Sequence, residues 1–491
     1  MKTAIIGAGP AGITAAYELA KKNIPVDVYE AGEAVGGMAK TIDLWNQKVD
    51  LGPHRFFSSD PRVNKIWLEV VGEDYDMVNR LTRILYKNKF FYYPLKPFNA
   101  LSKLGFFEAA NCFLSFVKEQ FSSKKNADDS FESWVVERFG RRLFEIFFKT
   151  YSEKLWGIPC DELDSDFAAQ RIKKLSLLEA VINAFKQGKD NKHKTLVDTF
   201  AYPHEGSGVV YERMAEFVKK TGGNVFCNTP VKRVVTENGE AIGIELMNGE
   251  NVKYDHIVST MPLTRMVMQL PEVPEKIVDA AKSLKFRNTI LAYLKVEATD
   301  LFPDNWLYIH SDNLETGRIT NFRNWSPSLY GEEENSILTL EYWCYDEDEI
   351  WTRSDEKLVE LASEEMRKTG LIGDAKISDG FIHRVKSCYP VYNRGYKENV
   401  KPIEEYLSSI KNLSVIGRYG AFKYNNQDHS ILMGMLAAEN IAGEAKHDLW
   451  EINTDYEYQE SAEINETGLD KPEFDAPRIS VPSYTLAEKR L

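Results

Sequence analysis

The 491-residue chain is too long for one simple core and predicts two or three domains with room for large clefts. Its net charge of -13, with no sustained Lys/Arg stripe, excludes a nucleic-acid binder, because a phosphate backbone demands a basic footprint; a local pocket for a small anion remains allowed. Five scattered cysteines (Cys112, Cys160, Cys227, Cys344 and Cys388), odd in number and without a CxxC pair, offer neither a zinc site nor a disulfide framework, so no metal is expected and a reducing cytoplasm fits best.

From the N-terminus, MKTAII runs directly into a predicted strand, which leaves no room there for a secretory signal. The stretch TAIIGAGPAGITAAYELAKKNIPVDVYEA then predicts a buried strand, a glycine turn, an amphipathic helix and a second strand ending at Glu30. In its GxGxxG pattern Gly7 permits the tight turn, Gly9 lets backbone approach a pyrophosphate, and Gly12 allows close helix packing, while the helix N-terminus offers aligned N–H groups to the anion. Glu30, about 20 residues after the motif, stands where a carboxylate accepts hydrogen bonds from a ribose 2′-hydroxyl. A glycine-rich turn in an unrelated α/β protein is the alternative; strand, helix and acidic residue at this spacing argue against it. Gly36 and Gly37 follow soon after and resemble the extension found in two-dinucleotide-fold flavoproteins, which favours FAD over NAD.

Next, DLGPHRFFSS places His54 and an arginine after a Gly-Pro turn. A satisfied loop histidine is the commoner fate of a single His, yet the Gly-Pro turn after Asp50 argues for deliberate placement near the cofactor. GFFEAANCFLSFV, from Gly105, is short and carries Glu108, so a core helix is expected rather than a membrane span. VFCNTPVKRVVTENGEAIGIELMNGENVKYDHIVSTMPL predicts a β-meander with turns at ENGE and NGE, followed by a strand. NLSVIGRYGAFKYNNQDHSILMGMLAAENIAG predicts a strand, a Gly-Arg turn, a polar loop and an apolar helix whose N-terminus, near Asp428 to Ser430, faces an anion or a flavin edge. Together these pieces predict an α/β fold: a discontinuous Rossmann-like FAD-binding domain (1–75, 191–270 and 396–447) with an inserted helical domain (100–190), an antiparallel-sheet substrate domain (76–99 and 271–395), and an acidic tail (448–491) that wraps the surface or is disordered.

Four separated motifs, GPHRFFS, TYSEKLWGIP…AAQRI, NWLYIHSDNLETGRITNFRNWSP and GRYGAFKYNNQDHS, resemble, in order, those of the UDP-galactopyranose mutases, within the wider amine-oxidase-like flavoproteins; the likeness runs from residue 1 to about 445. The resemblance implies that Arg318 and Arg418 clamp the diphosphate of a sugar nucleotide, a role suited to planar, forked guanidiniums. It implies that Tyr308, Tyr389 and Tyr424 hydrogen-bond the same diphosphate and that Asn426 lies near the sugar. Tyr93, Phe147 and Trp156 would form the nucleoside end, although each could equally be ordinary core. His54 would sit beside the flavin near N5. Val231 would meet the adenine with its backbone, and Gly417, Arg418, Gln427, Asp428 and Ser430 would complete the cofactor site. Arg171 matches a mobile arginine of the eukaryotic-type enzymes, against the commoner reading of a solvated arginine on a helix face.

The activity implied is exchange of UDP-galactopyranose and UDP-galactofuranose through an adduct of the sugar with N5 of reduced FAD, without net redox change; NAD(P)H would serve only as a transient reductant. The partner is then a small sugar nucleotide, with no nucleic acid and no transmembrane segment. Lys96 and Ser152 depart from the uracil-end pattern of the eukaryotic type, and the loop from Tyr424 to Asn426 is closer to the bacterial spacing. A true flavin oxidase or desaturase, with an apolar tunnel in place of a diphosphate clamp, is the rival class, and a non-catalytic FAD-bound scaffold a third.

Overall fold

A computed structural model describes residues 1–95, 97–121, 129–166 and 199–452. The apolar run Thr3–Ile6 is buried along its whole length and forms the middle of a five-stranded parallel sheet, in the order Leu413–Val415, His256–Ser259, Thr3–Ile6, Val26–Tyr29, Asn224–Phe226. Strands buried on both faces read as continuous apolar runs, and helices must cover both sides. The helix Pro10–Lys21, with proline at its first turn, supplies part of that cover and packs against Gly208–Lys220 and Gln427–Ala442. Its approach to Gln427–Ala442 depends on Gly434: a Cβ there would lie 2.5 Å from the Ala11 carbonyl oxygen and 2.9 Å from the Ala15 nitrogen.

The meander forms as expected from Val231–Glu237, Glu240–Leu246 and Asn251–Lys253, turning at Asn238 and Gly239, both at positive φ. A seven-stranded sheet joins the hairpin Thr82–Tyr86/Lys89–Tyr92 to strands drawn from 286–390, antiparallel except where Trp306–Ile309 runs parallel to Thr82–Tyr86. Helices Phe106–Gln120, Phe131–Phe139 and Arg141–Phe144 pack on one another, and Thr150–Trp156 touches that sheet at Ser336–Cys344.

One expectation is corrected. The segment from Gly105 is helical, but it is only half a core helix: Cys112 and Phe116 are buried, whereas Phe106, Phe107, Phe113 and Leu114 are 83, 84, 62 and 63% exposed. The sequence segment is apolar over more of its circumference than one core contact can cover. No helix among the described residues is long and apolar enough to cross a membrane.

Candidate active site

The glycine turn builds one end of a cavity of about 400 Å³. Gly7 has φ +92°, and a Cβ on it would lie 2.2 Å from Thr260 Oγ1; one on Gly12 would lie 2.0 Å from the Gly7 carbonyl oxygen. Gly36 and Gly37 also have positive φ, and a Cβ on Gly37 would come within 2.9 Å of the Gly9 Cα, so two backbone segments meet without side chains. Gly9 caps the helix Pro10–Lys21 with no side-chain hydrogen bond, leaving the first-turn N–H groups to an anion. At the end of the second strand, Glu30 accepts from the Ala8 N–H at 2.7 Å and the Gly32 N–H at 2.7 Å, which orients its carboxylate at the cavity. The wall continues past Val231 to Thr260, Gly417 and Ser430. A bare glycine cradle, a helix N-terminus and a carboxylate at ribose distance along the chain fit a dinucleotide.

The far half of the cavity is cationic and aromatic. Arg318 on its strand is held by Glu341 on the neighbouring strand through two bonds, Nε to Oε1 at 2.6 Å and Nη2 to Oε2 at 2.5 Å. The carboxylate is buried, and its field raises the arginine's pKa further although burial alone would lower it. Arg418 differs. Its Cζ lies 4.6 Å and 4.4 Å from the ring centroids of Tyr389 and Tyr424, and its buried Nε and Nη2 make no hydrogen bond among the described residues. A buried donor without an acceptor costs free energy of about 1–3 kcal/mol, more for a charged group, so this guanidinium is built for something that binds.

His54 lines the same cavity, near both arginines. Asp50 anchors its loop, accepting from Thr41 Oγ1, Tyr202 Oη and the Ser207 N–H. Burial pushes that carboxyl up to about 6 against those three bonds. Gly52, at φ +107°, turns the chain so closely that a Cβ would lie 3.5 Å from Glu341 Oε1 and 3.8 Å from both Arg318 Nη2 and His54 Nε2. The His54 carbonyl accepts from Ser207 Oγ at 2.6 Å and Gln427 Nε2 at 3.2 Å, and its Nε2 is 3.0 Å from the Leu51 carbonyl oxygen. A carbonyl only accepts, so Nε2 carries the proton and Nδ1 is the acceptor. Burial, with Arg318 and Arg418 nearby, pulls this imidazole down to about 4, against the bond to Leu51, and it is neutral at physiological pH.

Of the residues singled out in the sequence, the cavity brings together Gly7, Gly9, Gly37, Glu30, His54, Val231, Tyr93, Tyr308, Arg318, Gly417, Arg418, Tyr424, Asn426, Gln427, Asp428 and Ser430. Gly12 and Gly36 shape its backbone from behind, and Tyr389 lies behind Arg418, stacked on Tyr424 with centroids 5.5 Å apart. Asn426 also caps the helix Gln427–Ala442 in a reciprocal pairing with His429. Two residues take the core alternative. Phe147 packs against Phe91 and Tyr86, and Trp156 packs with Tyr392, Tyr389 and Tyr424; both are core side chains and neither lines the cavity. Arg171 and Lys96 lie outside the described residues, and Ser152 is buried on Thr150–Trp156. Sequence reading missed Glu341, whose role depends on a cross-strand register, and also Arg55, Arg80 and Trp306, which line the same cavity.

The model of the flavin-containing amine oxidoreductase family matches residues 10–442. The chain belongs to that family. Its relatives within it are diverse. It is 22% identical to the coproporphyrinogen III oxidase of Staphylococcus aureus (strain NCTC 8325 / PS 47) over 478 residues, 90% of this chain and 99% of that protein. It is also 22% identical to a probable UDP-galactopyranose mutase of Klebsiella pneumoniae over 272 residues, 51% of this chain and 66% of that protein. Among solved structures, a reduced UDP-galactopyranose mutase superposes with a TM-score of 0.81 at 22% identity, covering 92% of this chain and 96% of the other. The shared fold and the family imply FAD as cofactor, and the glycine cradle is the part of this chain that suits it.

Proposed function

We propose that the protein is a flavin-dependent sugar-nucleotide mutase that interconverts UDP-galactopyranose and UDP-galactofuranose, or a closely related pair, with no net redox change. The observation that carries this reading is Arg418, a buried guanidinium at the cavity with two nitrogens unpaired among the described residues, near a second arginine and the tyrosines Tyr308 and Tyr424. A substrate that releases a diphosphate needs such a group, whereas an apolar substrate does not.

Gly7, Gly9, Gly37 and the N-terminus of Pro10–Lys21 would hold the FAD pyrophosphate, Glu30 the ribose, and the loop around His54 with the N-terminus of Gln427–Ala442 the flavin end. Reduced flavin, when bound, supplies an electron-rich nucleophile that does not depend on an ionised side chain. The chain's own part is charge and position. Arg418 takes up the negative charge of the departing diphosphate, and Arg318, fixed in direction by Glu341, adds oriented donors. His54, neutral with Nδ1 as acceptor, takes a hydrogen bond from a substrate hydroxyl or the cofactor edge without adding a third positive charge. Tyr93, Tyr308 and Trp306 close the wall against water, which would otherwise hydrolyse a sugar that has lost its leaving group.

An oxidase is the second reading, favoured by the end-to-end likeness to the Staphylococcus oxidase. Ligand binding separates them. The mutase reading expects UDP to bind the flavin-loaded protein in competition with UDP-galactose, and Arg418→Ala to weaken UDP at least tenfold while the flavin absorbance is retained. Absence of UDP binding, with oxidation of a porphyrinogen under air, would establish the oxidase instead.

A further inference from the structure

The ligand-facing pair Tyr308 and Arg318 stand directly opposite one another on the antiparallel strands Trp306–Ile309 and Arg318–Asn321, and the chain passes from one to the other through the turn 310–317. That turn is too long for hairpin pairing alone to fix its ends. Side chains from outside the hairpin hold it. Lys154, on the helix Thr150–Trp156, donates through Nζ to the carbonyl oxygens of Ser311 at 2.6 Å, Thr316 at 3.3 Å and Ile309 at 3.4 Å, which lie at both ends of the turn. Three acceptors match the three N–H groups of an ammonium. Buried Glu365, on the helix Asp355–Lys368, accepts from the N–H groups of Glu315 and Thr316 and from Tyr342 Oη. The Thr316 hydroxyl carries the restraint onward, shared between the carbonyl oxygens of Arg318 at 3.2 Å and Glu341 at 3.3 Å.

We infer that Lys154 is a positioning residue for the ligand clamp: by gathering both ends of the turn 310–317 it sets the spacing and direction of Tyr308 and Arg318, without itself lining the cavity. This rests on the reading of Arg318 as a ligand of the diphosphate. The clasp depends on a proton. Burial lowers the Lys154 pKa to about 8, and the carboxylates Glu365, Asp312 and Glu315 oppose that shift. His310, in the same turn, is held neutral by burial and by this ammonium, while burial and Glu365 keep Tyr342 protonated. Arg287, on the strand Phe286–Val296, donates to the Lys154 carbonyl at 3.2 Å and keeps its own charge. Lys154 is therefore the group of this cluster whose proton leaves between pH 7 and 9. Once neutral, its amine offers two N–H groups to three carbonyls and turns a lone pair toward the third, which loosens the turn.

The experiment is equilibrium binding of UDP to the flavin-loaded full chain at pH 7, 8 and 9, beside Lys154→Met and Lys154→Arg, with flavin absorbance followed in the same samples. In the parent, UDP affinity should fall about tenfold from pH 7 to 9, the step expected when binding requires one proton on a group of pKa about 8, while the flavin stays bound. Lys154→Met should bind UDP about tenfold more weakly than the parent at pH 7 and show no step. Lys154→Arg, which stays charged throughout, should recover most of the affinity and hold it to pH 9. A general loss of packing would weaken flavin and UDP together and would give no step confined to the parent. Should Lys154→Met fail to retain flavin, the parent series decides alone. A parent affinity that is flat from pH 7 to 9, or a flavin-retaining Lys154→Met that binds UDP as the parent does, overturns the inference and leaves the diphosphate reading standing. Failure of the parent to bind UDP at pH 7 overturns both.

Discussion

Arg318 and Arg418 reach the same cavity in different electrostatic states. Arg318 is already compensated by Glu341, so it contributes direction more than net charge; Arg418 has tyrosine rings and, among the described residues, no carboxylate. Removing Glu341 should therefore do more harm than its distance from the reaction suggests. Glu341→Gln leaves Arg318 as a buried, uncompensated cation, a change expected to cost about 3–5 kcal/mol of stability. UDP should restore part of that loss, giving a larger ligand-induced rise in Tm in the variant than in the parent; equal shifts would place Arg318 away from the ligand. At His54 the expectation is silence: with burial holding it near 4, its ring signals should not titrate between pH 5 and 8 in NMR of flavin-loaded protein, and the pH dependence of turnover in that range should belong to other groups. A titration near 6.5 would remove the buried, arginine-flanked environment assigned to it.

At the scale of elements, the cofactor end depends on backbones that approach without side chains. Gly434→Ala would put a Cβ against the Ala11 carbonyl and the Ala15 nitrogen, both rigid backbone, so the helices must separate. A loss of about 1–3 kcal/mol is expected, with weaker flavin retention because the same helix N-termini frame the cavity; thermal melts and flavin release on dilution would report it, and an unchanged Tm would mean that the two helices yield freely. This end was legible in the sequence because its information is local: strand, GxGxxG turn, helix and Glu30 lie within thirty residues. The meander was legible for the same reason. At the far half Arg318, Arg418, Tyr308 and Tyr424 were legible through the motif resemblance, but their supports were not, since Glu341 meets Arg318 only through the pairing of two strands, Asp50 meets Tyr202 across 152 positions, and an aromatic such as Trp156 reads the same in a core as at a binding wall. The helix at Phe106 misled for a related reason: apolar composition shows that a face must be covered, without saying by what.

For the whole molecule, the charge balance inverts inside the fold. A chain of net charge -13 turns Arg55, Arg80, Arg265, Arg318 and Arg418 toward one cavity, against Glu30 and Asp428. An anionic ligand is drawn to that site while the acidic exterior disfavours polyanions. Stability should depend on pH through buried histidines. Burial pulls His54 and His256 down to about 4 and His310 to about 3, so below about pH 6.5 the unfolded chain binds protons that the native state refuses. Stability is then lost as pH falls from about 6.5 toward 4. Asp50, pushed up to about 6, acts in the opposite sense between about 6 and 4, because the native state holds its proton first, and burial raises Asp164, Glu212, Asp304, Glu365 and Glu404 in the same sense; His383, lowered by burial, and Asp27, Asp60, Glu69 and Glu108, lowered by their hydrogen-bonding partners, act with the three histidines. Thermal melts at pH 7, 5.5 and 4.5 should fall in that order, and a flat or rising series would contradict the burial of these imidazoles.

The central claim is a flavin used without net redox change on a sugar nucleotide, and one assay addresses it directly: anaerobic incubation of dithionite-reduced, FAD-loaded protein with UDP-galactofuranose, products resolved by chromatography, beside the oxidised protein. The account predicts UDP-galactopyranose from the reduced protein alone, with no flavin oxidised in the course of turnover. No conversion by intact, reduced, flavin-loaded protein that nonetheless binds UDP would contradict the assigned sugar, and no conversion together with no UDP binding would contradict the mutase reading altogether.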